Sequence, residues 1–292
     1  MIYKYSQLYK RISFNEARKI KRINKKIHIG QLKLLYSEIL FLTKHAKNNN
    51  KVLYIGAGPG YHIAILADMF PNLNFHLWDP VVFEIEKRDN IKIFNNFFTN
   101  SEANQYKKEG NNILFISDIR NLNIAKFRKS KDIKKMDKLI LDDMDKQIKW
   151  IQIINPIYAY LKFRLPFEKG ITKSFNGTIY LQPFSPISTE TRLMTNNYND
   201  FIGYNNIEFD EKLAYFNCCI RSKNIKYIRW SNVMNTFRIK NNWDNALALY
   251  IIDYYLRKVK QIKSDQEVGK MFVDIIDFHK KKYKEKFNIL FL

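Results

Sequence analysis

Residues 51–60 read Lys51-Val52-Leu53-Tyr54-Ile55-Gly56-Ala57-Gly58-Pro59-Gly60. Lys51 to Ile55 is short and mostly apolar, the pattern of a strand buried on both faces. The glycines that follow let the backbone turn sharply and let a ligand approach the main chain. Tyr61 to Phe70 then reads as a helix, so the segment is strand, glycine turn and helix. Further strands are predicted at Asn74 to Trp78, Ile91 to Phe94 and Ile113 to Ser117, with mainly helical sequence over Lys138 to Asn155. This alternation predicts an α/β fold, a doubly wound and mostly parallel sheet with helices on both faces. Ligands of such sheets bind beyond the carboxyl ends of the strands, where Gly56, Asp79 and Asp118 all fall.

The turn itself narrows the ligand. A dinucleotide fold would carry Gly-x-Gly-x-x-Gly at this point. Gly-x-Gly-x-Gly with Pro59 fits better the turn that cradles the amino-acid moiety of S-adenosylmethionine. Asp79 closes the next strand, where a carboxylate can accept hydrogen bonds from both ribose hydroxyls of that cofactor. The competing reading is a structural turn with a capping aspartate.

Outward from this unit, a helix is predicted from near Gly30 to about Lys47, with Leu32, Leu35, Ile39 and Leu42 on one face. Residues 1–29 read as a basic, irregular arm, and residues 30–292 as one domain without repeats or a Gly/Ser/Pro linker. Later strands are expected around Ala159 to Arg164 and Gly177 to Leu181, and late helices over Trp243–Lys258 and Gln266–Lys284. Lys+Arg total 50 against Asp+Glu 28, a formal net charge of +22, which argues for a polyanionic partner. Aromatics make up 15% of the chain, and aromatics accompanying the charge favour nucleic acid over a merely solvated surface. The two cysteines, Cys218 and Cys219, are adjacent and have no metal-ligand spacing, so a reducing compartment is expected. No apolar run is long enough to span a bilayer, and no membrane partner is expected.

Several words of sequence lie in register around the turn. They are Gly-Gln-Leu-Lys-Leu-Leu (30–35), Tyr-Ile-Gly-x-x-Pro-Gly-x-His (54–62), Ile-Ser-Asp-x-Arg (116–120) and Asn-Pro (155–156). Leu-Lys-x-Arg-x-Pro-Phe (161–167) and Leu-Gln-Pro-Phe-x-Pro (181–186) follow, then Glu190 and Arg192. Over roughly residues 28–220 the chain resembles the poxvirus cap-specific mRNA (nucleoside-2′-O-)-methyltransferases, which are also the small, processivity subunits of poxvirus poly(A) polymerase.

The resemblance implies a Rossmann-like, S-adenosylmethionine-dependent methyltransferase fold. It implies that Lys33, Asp118, Lys162 and Glu190 form the catalytic set, with Lys162 as the base at a ribose 2′-hydroxyl and the other three tuning it. That hydroxyl is a poor nucleophile, and a lysine kept partly neutral by burial can take its proton. Gln31, Tyr54, Gly56, Gly60, His62, Asp79, Phe98, Ile119 and Arg120 occupy the positions of cofactor contacts, while Val81 stands where the family has a basic residue.

The family also stacks the methylated guanine of the cap between aromatic rings, in the manner of a cation–π contact. Phe167 matches one ring, and Phe14, with Tyr9 in reserve, is the best choice for the other. Two carboxylates would read the purine edge, and the candidates are Glu168 or a neighbour for one and Asp210 or Glu211 for the other. Capped mRNA, poly(A) or other single-stranded RNA, and a poly(A) polymerase catalytic subunit are the implied partners. The implied location is the host cytoplasm, in the virus factory, with the virion as a second site. A non-catalytic RNA-binding processivity factor of the same fold is the competing function. A DNA-base methyltransferase is disfavoured, because Asn155-Pro156-Ile157-Tyr158 lacks the second proline of the adenine-N6 box and does not follow the fourth strand.

Overall fold

The computed structural model describes residues 1–20, 30–121, 132–186, 189–223 and 226–282. Its centre is a sheet whose strands are β1 (Lys51–Ile55), β2 (Asn74–Trp78), β3 (Ile91–Phe94), β4 (Ile113–Ser117), β5 (Tyr158–Phe163), β7 (Thr178–Tyr180) and β8 (Thr191–Thr195). The order is β3-β2-β1-β4-β5-β8-β7. The first five strands run parallel, and β8 is antiparallel to both β5 and β7. Strands β6 (Ile171–Phe175) and β9 (Phe201–Asn205) form a separate antiparallel pair. The doubly wound sheet expected from residues 51–117 is present. Its parallel order 3-2-1-4-5 reverses beside β1, the switch point at which such sheets bind ligands.

The central strands are apolar because helices cover both faces. Val52, Leu53 and Tyr54 on β1 and every residue of β4 are buried. Helix α1 spans Phe14–Lys19, α2 Gly30–His45, α3 Ile63–Met69, α4 Asn100–Tyr106 and α5 Ile133–Ile154. Helix α6 spans Asn206–Tyr215, α7 Ser231–Thr236, α8 Trp243–Tyr255 and α9 Asp265–Lys282. On α2, Leu32, Leu35, Ile39 and Leu42 are all buried, as their spacing predicts. On α5, Ile140, Met144, Trp150, Ile151 and Ile154 form the buried stripe, and Asn155 ends the helix in the left-handed conformation at φ 51°. Asn155-Pro156 is therefore a helix stop leading into β5. Among the described residues no helix is long and apolar enough to cross a membrane.

Two expectations need correction. Residues 1–20, expected to be irregular, carry α1 and pack against the described residues that follow. Leu8 and Ala17 are buried, Tyr3 O accepts Leu181 N–H at 2.9 Å, Ile2 O accepts the Trp243 indole N–H at 2.8 Å, and Tyr5 packs on Phe209. Apolar residues spaced among the basic ones dock this segment onto β7, α6 and α8. The late strands also differ. Beyond β5 and β7, the antiparallel strands β6, β8 and β9 went unread, because β8 (Thr-Arg-Leu-Met-Thr) and β6 (Ile-Thr-Lys-Ser-Phe) carry polar residues at buried positions.

Candidate active site

Strand register brings the chemistry together. Ile55 is level with Trp78 on β2 and with Ser117 on β4. The residues that follow, Gly56, Asp79 and Asp118, therefore emerge side by side at the carboxyl edge. Gly56 has φ 77°, and a Cβ there would sit 2.7 Å from Ile119 N and 2.8 Å from the Asp118 carbonyl carbon. Only glycine lets the two chain segments pass this closely. Asp79 closes the turn from the other side, accepting Gly58 N–H at 3.0 Å and Val81 N–H at 2.8 Å.

The catalytic four expected from the sequence converge next to this turn. Lys162 on β5 lies 2.8 Å from an Asp118 carboxylate oxygen and also donates to the Asp118 carbonyl at 3.1 Å. Lys33, one turn into α2, pairs with Glu190 just before β8. Arg120 donates to the other Glu190 oxygen at 2.8 Å. Arg192 was quoted in the sequence pattern without a role. It faces Lys162 directly across the antiparallel β5–β8 pair and closes on the Asp118 oxygen that Lys162 holds. At 1% exposure it is too deep to be a solvated cation. No local pattern in Thr-Arg-Leu-Met-Thr marks it, because its carboxylate partner comes from the end of another strand.

Electrostatics follow from burial and charge count. Burial is the largest influence on Lys162 and lowers its ammonium to about 8, while Asp118 and Glu190 oppose that shift and Arg120 and Lys33 add to it. Burial pushes the Asp118 carboxyl up, but Lys162, Arg192 and Lys33 together outweigh it and leave Asp118 low. Glu190 behaves alike: burial raises it, and Lys33, Lys162, Arg120 and Arg192 hold it well below the usual carboxylate range. The set is thus two firmly ionised carboxylates around a lysine that can lose its proton near neutrality. A small cavity of about 30 Å³ opens beside it, lined by Lys162, Glu190, Arg120, Arg164, Asp143 and Gln147 among others. A buried ion pair holds the backbone at Phe184 and Ser185. Asp244 accepts Phe184 N–H at 2.7 Å and pairs with Arg221, which also donates to Ser185 O at 2.9 Å.

The residues matched to cofactor contacts divide by exposure. Gly56, Asp79 and Ile119 are half-buried and Arg120 is exposed at the open edge of the strands, whereas Gly60 is buried beneath the Ile85 side chain. Tyr54 and His62 are fully buried, with Tyr54 bound to Glu38 and His62 to Glu38 and Gln31, so their side chains back the turn from behind. Phe98 is buried between Trp78 and Trp150 as a core ring. Glu38, which the sequence reading missed, is 2% exposed and ties these side chains together.

Of the residues expected at the cap, Phe167 is half-buried with the Arg164 guanidinium 4.5 Å from its ring centre. Asp137 accepts the N–H groups of both Phe167 and Glu168, at 2.7 and 2.9 Å. Asp210 lies within electrostatic reach of Arg164. Burial pushes its carboxyl up to about 7, and its Oδ1 has no hydrogen-bond partner among the described residues. Glu168 is exposed. Glu211 pairs instead with the N-terminal segment, its carboxylate 3.6 Å from Arg11. Tyr9 is 88% exposed, and the Phe14 side chain lies outside the described residues.

Known proteins similar to this chain identify its family. Residues 1–281 match the family described as poly A polymerase regulatory subunit. A cap-specific mRNA (nucleoside-2′-O-)-methyltransferase of Myxoma virus (strain Lausanne) is 28% identical over 230 residues, which are 70% of this chain and 65% of the relative. The match thus spans slightly under two thirds of that relative's length. Its counterpart in Fowlpox virus (strain NVSL) is 31% identical over 218 residues, 66% of this chain and 68% of the relative. Among solved structures, a ribosomal RNA methyltransferase from Plasmodium falciparum covers 58% of this chain and 97% of its own, at 14% identity and a TM-score of 0.33. From the family match over nearly its whole length, the chain belongs to the poly A polymerase regulatory subunit family.

Proposed function

We propose that the protein is a cap-specific mRNA 2′-O-methyltransferase, moving a methyl group from S-adenosylmethionine to the ribose 2′-hydroxyl of the first transcribed nucleotide of capped RNA. The observation that carries this reading is Lys162, a lysine with little exposure whose ammonium is lowered to about 8, held against Asp118 at the edge where the glycine turn opens. At neutral pH roughly a tenth of such a lysine is free base. It can accept the hydroxyl proton on Nζ, while Asp118, locked by Arg192, fixes the direction of that nitrogen. The lysine then becomes an ammonium beside two carboxylates, an environment already arranged for positive charge.

The donor set fits the cofactor. Asp79 spends two of its acceptor positions on Gly58 and Val81 N–H groups, and a carboxylate has about four, so ribose hydroxyls find acceptors left over. The glycine turn and Asp79 would hold the cofactor, which supplies an electrophilic methyl on a sulfonium. For such a transfer the protein contributes mainly alignment and exclusion of water. Phe167, stacking on the methylated guanine, would set the distance from cap to base.

A second role is supported by the family match and the net charge of +22, namely regulation of a poly(A) polymerase bound to RNA. Methyl transfer from labelled S-adenosylmethionine to capped and uncapped short RNA tests the enzymatic reading. No incorporation into capped RNA, with RNA binding intact, would leave only the regulatory one. Extension of an oligo(A) primer by the polymerase catalytic subunit, with and without this chain, tests the other.

A further inference from the structure

The segment 164–170 joins β5 to β6 and belongs to neither strand, so no sheet ladder holds its amides. Two buried side chains from other elements hold them instead. Asp137 of α5 accepts Phe167 N–H on one carboxyl oxygen at 2.7 Å and Glu168 N–H on the other at 2.9 Å. Asn206, at the start of α6, donates its side-chain N–H to Glu168 O at 2.9 Å and its backbone N–H to Gly170 O at 3.0 Å. A carbonyl oxygen only accepts, so Asn206 must turn its N–H₂ toward Glu168, and its Oδ1 accepts the Thr172 hydroxyl at 2.7 Å.

These contacts fall on both sides of one α-carbon. The peptide unit before Phe167 and the one after it are each planar, and Asp137 takes the N–H of both. With both planes held, φ and ψ of Phe167 are held, and so is the direction in which its side chain leaves the backbone. The ring is half-buried, with the Arg164 guanidinium over it, 4.5 Å from its centre. A segment that only linked two strands would need no such clamp. Glu168, Lys169 and Gly170 are exposed, and water could satisfy their backbone groups.

We propose that Asp137 is a positioning residue for cap recognition: together with Asn206 it locks the backbone on either side of Phe167, so that the ring is set before the ligand arrives rather than ordered by it. Preorganisation of this kind spares the ligand the entropy of ordering the segment. The proposal rests on the reading of Phe167 as a ring that stacks on the methylated guanine.

The test is a double-mutant cycle on the full chain, read by fluorescence titration with a cap analogue and with uncapped RNA beside a melting curve. Asp137→Asn keeps the size of the side chain but turns an N–H₂ toward one of the two backbone N–H groups. It should weaken cap-analogue binding about tenfold and leave uncapped RNA within about twofold. Asn206→Asp keeps the acceptor for Thr172 and loses the donor to Glu168, so it should act in the same direction. Because Asp137 acts through the ring, adding Asp137→Asn to Phe167→Ala should cost no further cap affinity. Normal cap binding by folded Asp137→Asn overturns the proposal. So does a double variant whose losses add, or a loss of both ligands that follows the melting temperature, since a merely structural role would give these. If Asp137→Asn does not fold, Asn206→Asp, alone and combined with Phe167→Ala, decides by the same criteria. If Phe167→Ala itself binds the cap analogue normally, the reading of Phe167 fails, and the positioning role with it.

Discussion

Lys162 and Arg192 face each other across an antiparallel strand pair and meet on the same carboxylate oxygen of Asp118. The two cations divide the work. Burial does not stop Arg192 from being raised by Asp118 and Glu190, so it stays charged and keeps Asp118 ionised, whereas Lys162 is the group of the pair that can lose a proton.

A signed pH dependence follows. Lys162 must be neutral to accept a proton, so kcat/KM should rise with pH, about tenfold per unit, and level off above about 8. Glu190 helps keep the proton on Lys162, so Glu190→Gln should move the inflection to lower pH, even as it lowers the plateau by freeing Lys33. Lys162→Arg should be inactive at every pH, since guanidinium cannot accept the proton, and Lys162→Ala should be inactive with cofactor affinity nearly intact. A flat profile for the wild type would remove Lys162 from the base role.

Asp79→Ala should weaken S-adenosylhomocysteine binding by about 1.5–3 kcal/mol, through loss of hydrogen bonds to a charged group. Because Asp79 also holds Gly58 and Val81, Asp79→Asn is the informative partner. Its amide oxygen keeps one backbone contact but offers fewer acceptors, so it should fall between wild type and Ala. Calorimetric titration reads both. Equal affinity in all three would make Asp79 a turn residue and nothing more.

Gly56→Ala should be damaging out of proportion to its size. The left-handed φ of 77° and a Cβ 2.7 Å from Ile119 N leave no room, at a cost of about 1–3 kcal/mol for the backbone strain alone. The clash falls on the residue after Asp118, so methyl transfer should drop more than the melting temperature indicates. A stable variant with full activity would show that the Asp118 loop tolerates displacement.

Much of this site was legible before any coordinates. The parallel strands read clearly because β1 and β4 are apolar on both faces, and the glycine turn, Asp79 and Asp118 follow from where such strands end. Lys33, Lys162 and Glu190 lie far apart in sequence and could be joined only through the resemblance. What stayed hidden has a common cause. Arg192, Glu38 and Asp244 are buried charges whose partners come from other elements, and no local period marks them. The docking of residues 1–20 was hidden for the opposite reason, since their basic residues mask the few apolar anchors.

Phe167 offers the sharpest separation of substrate recognition from structure. It follows Pro166 on the segment leaving β5, half-buried, with Arg164 against its ring and Asp137 fixing its backbone. If the ring stacks on methylated guanine, Phe167→Ala should weaken binding of a cap analogue by about 1–3 kcal/mol, the range for base–aromatic stacking. Uncapped RNA should bind as before, because that affinity comes from lysine–phosphate contacts and falls with added salt. A phenylalanine that served only the core would behave otherwise, costing about 3–5 kcal/mol of stability and lowering the melting temperature whatever ligand is present. Fluorescence titration with cap analogue and with uncapped RNA, beside a melting curve, distinguishes the two. Normal cap binding by the variant, or equal loss of both ligands through unfolding, would take Phe167 out of the cap site and leave Arg164 stacked on a structural ring.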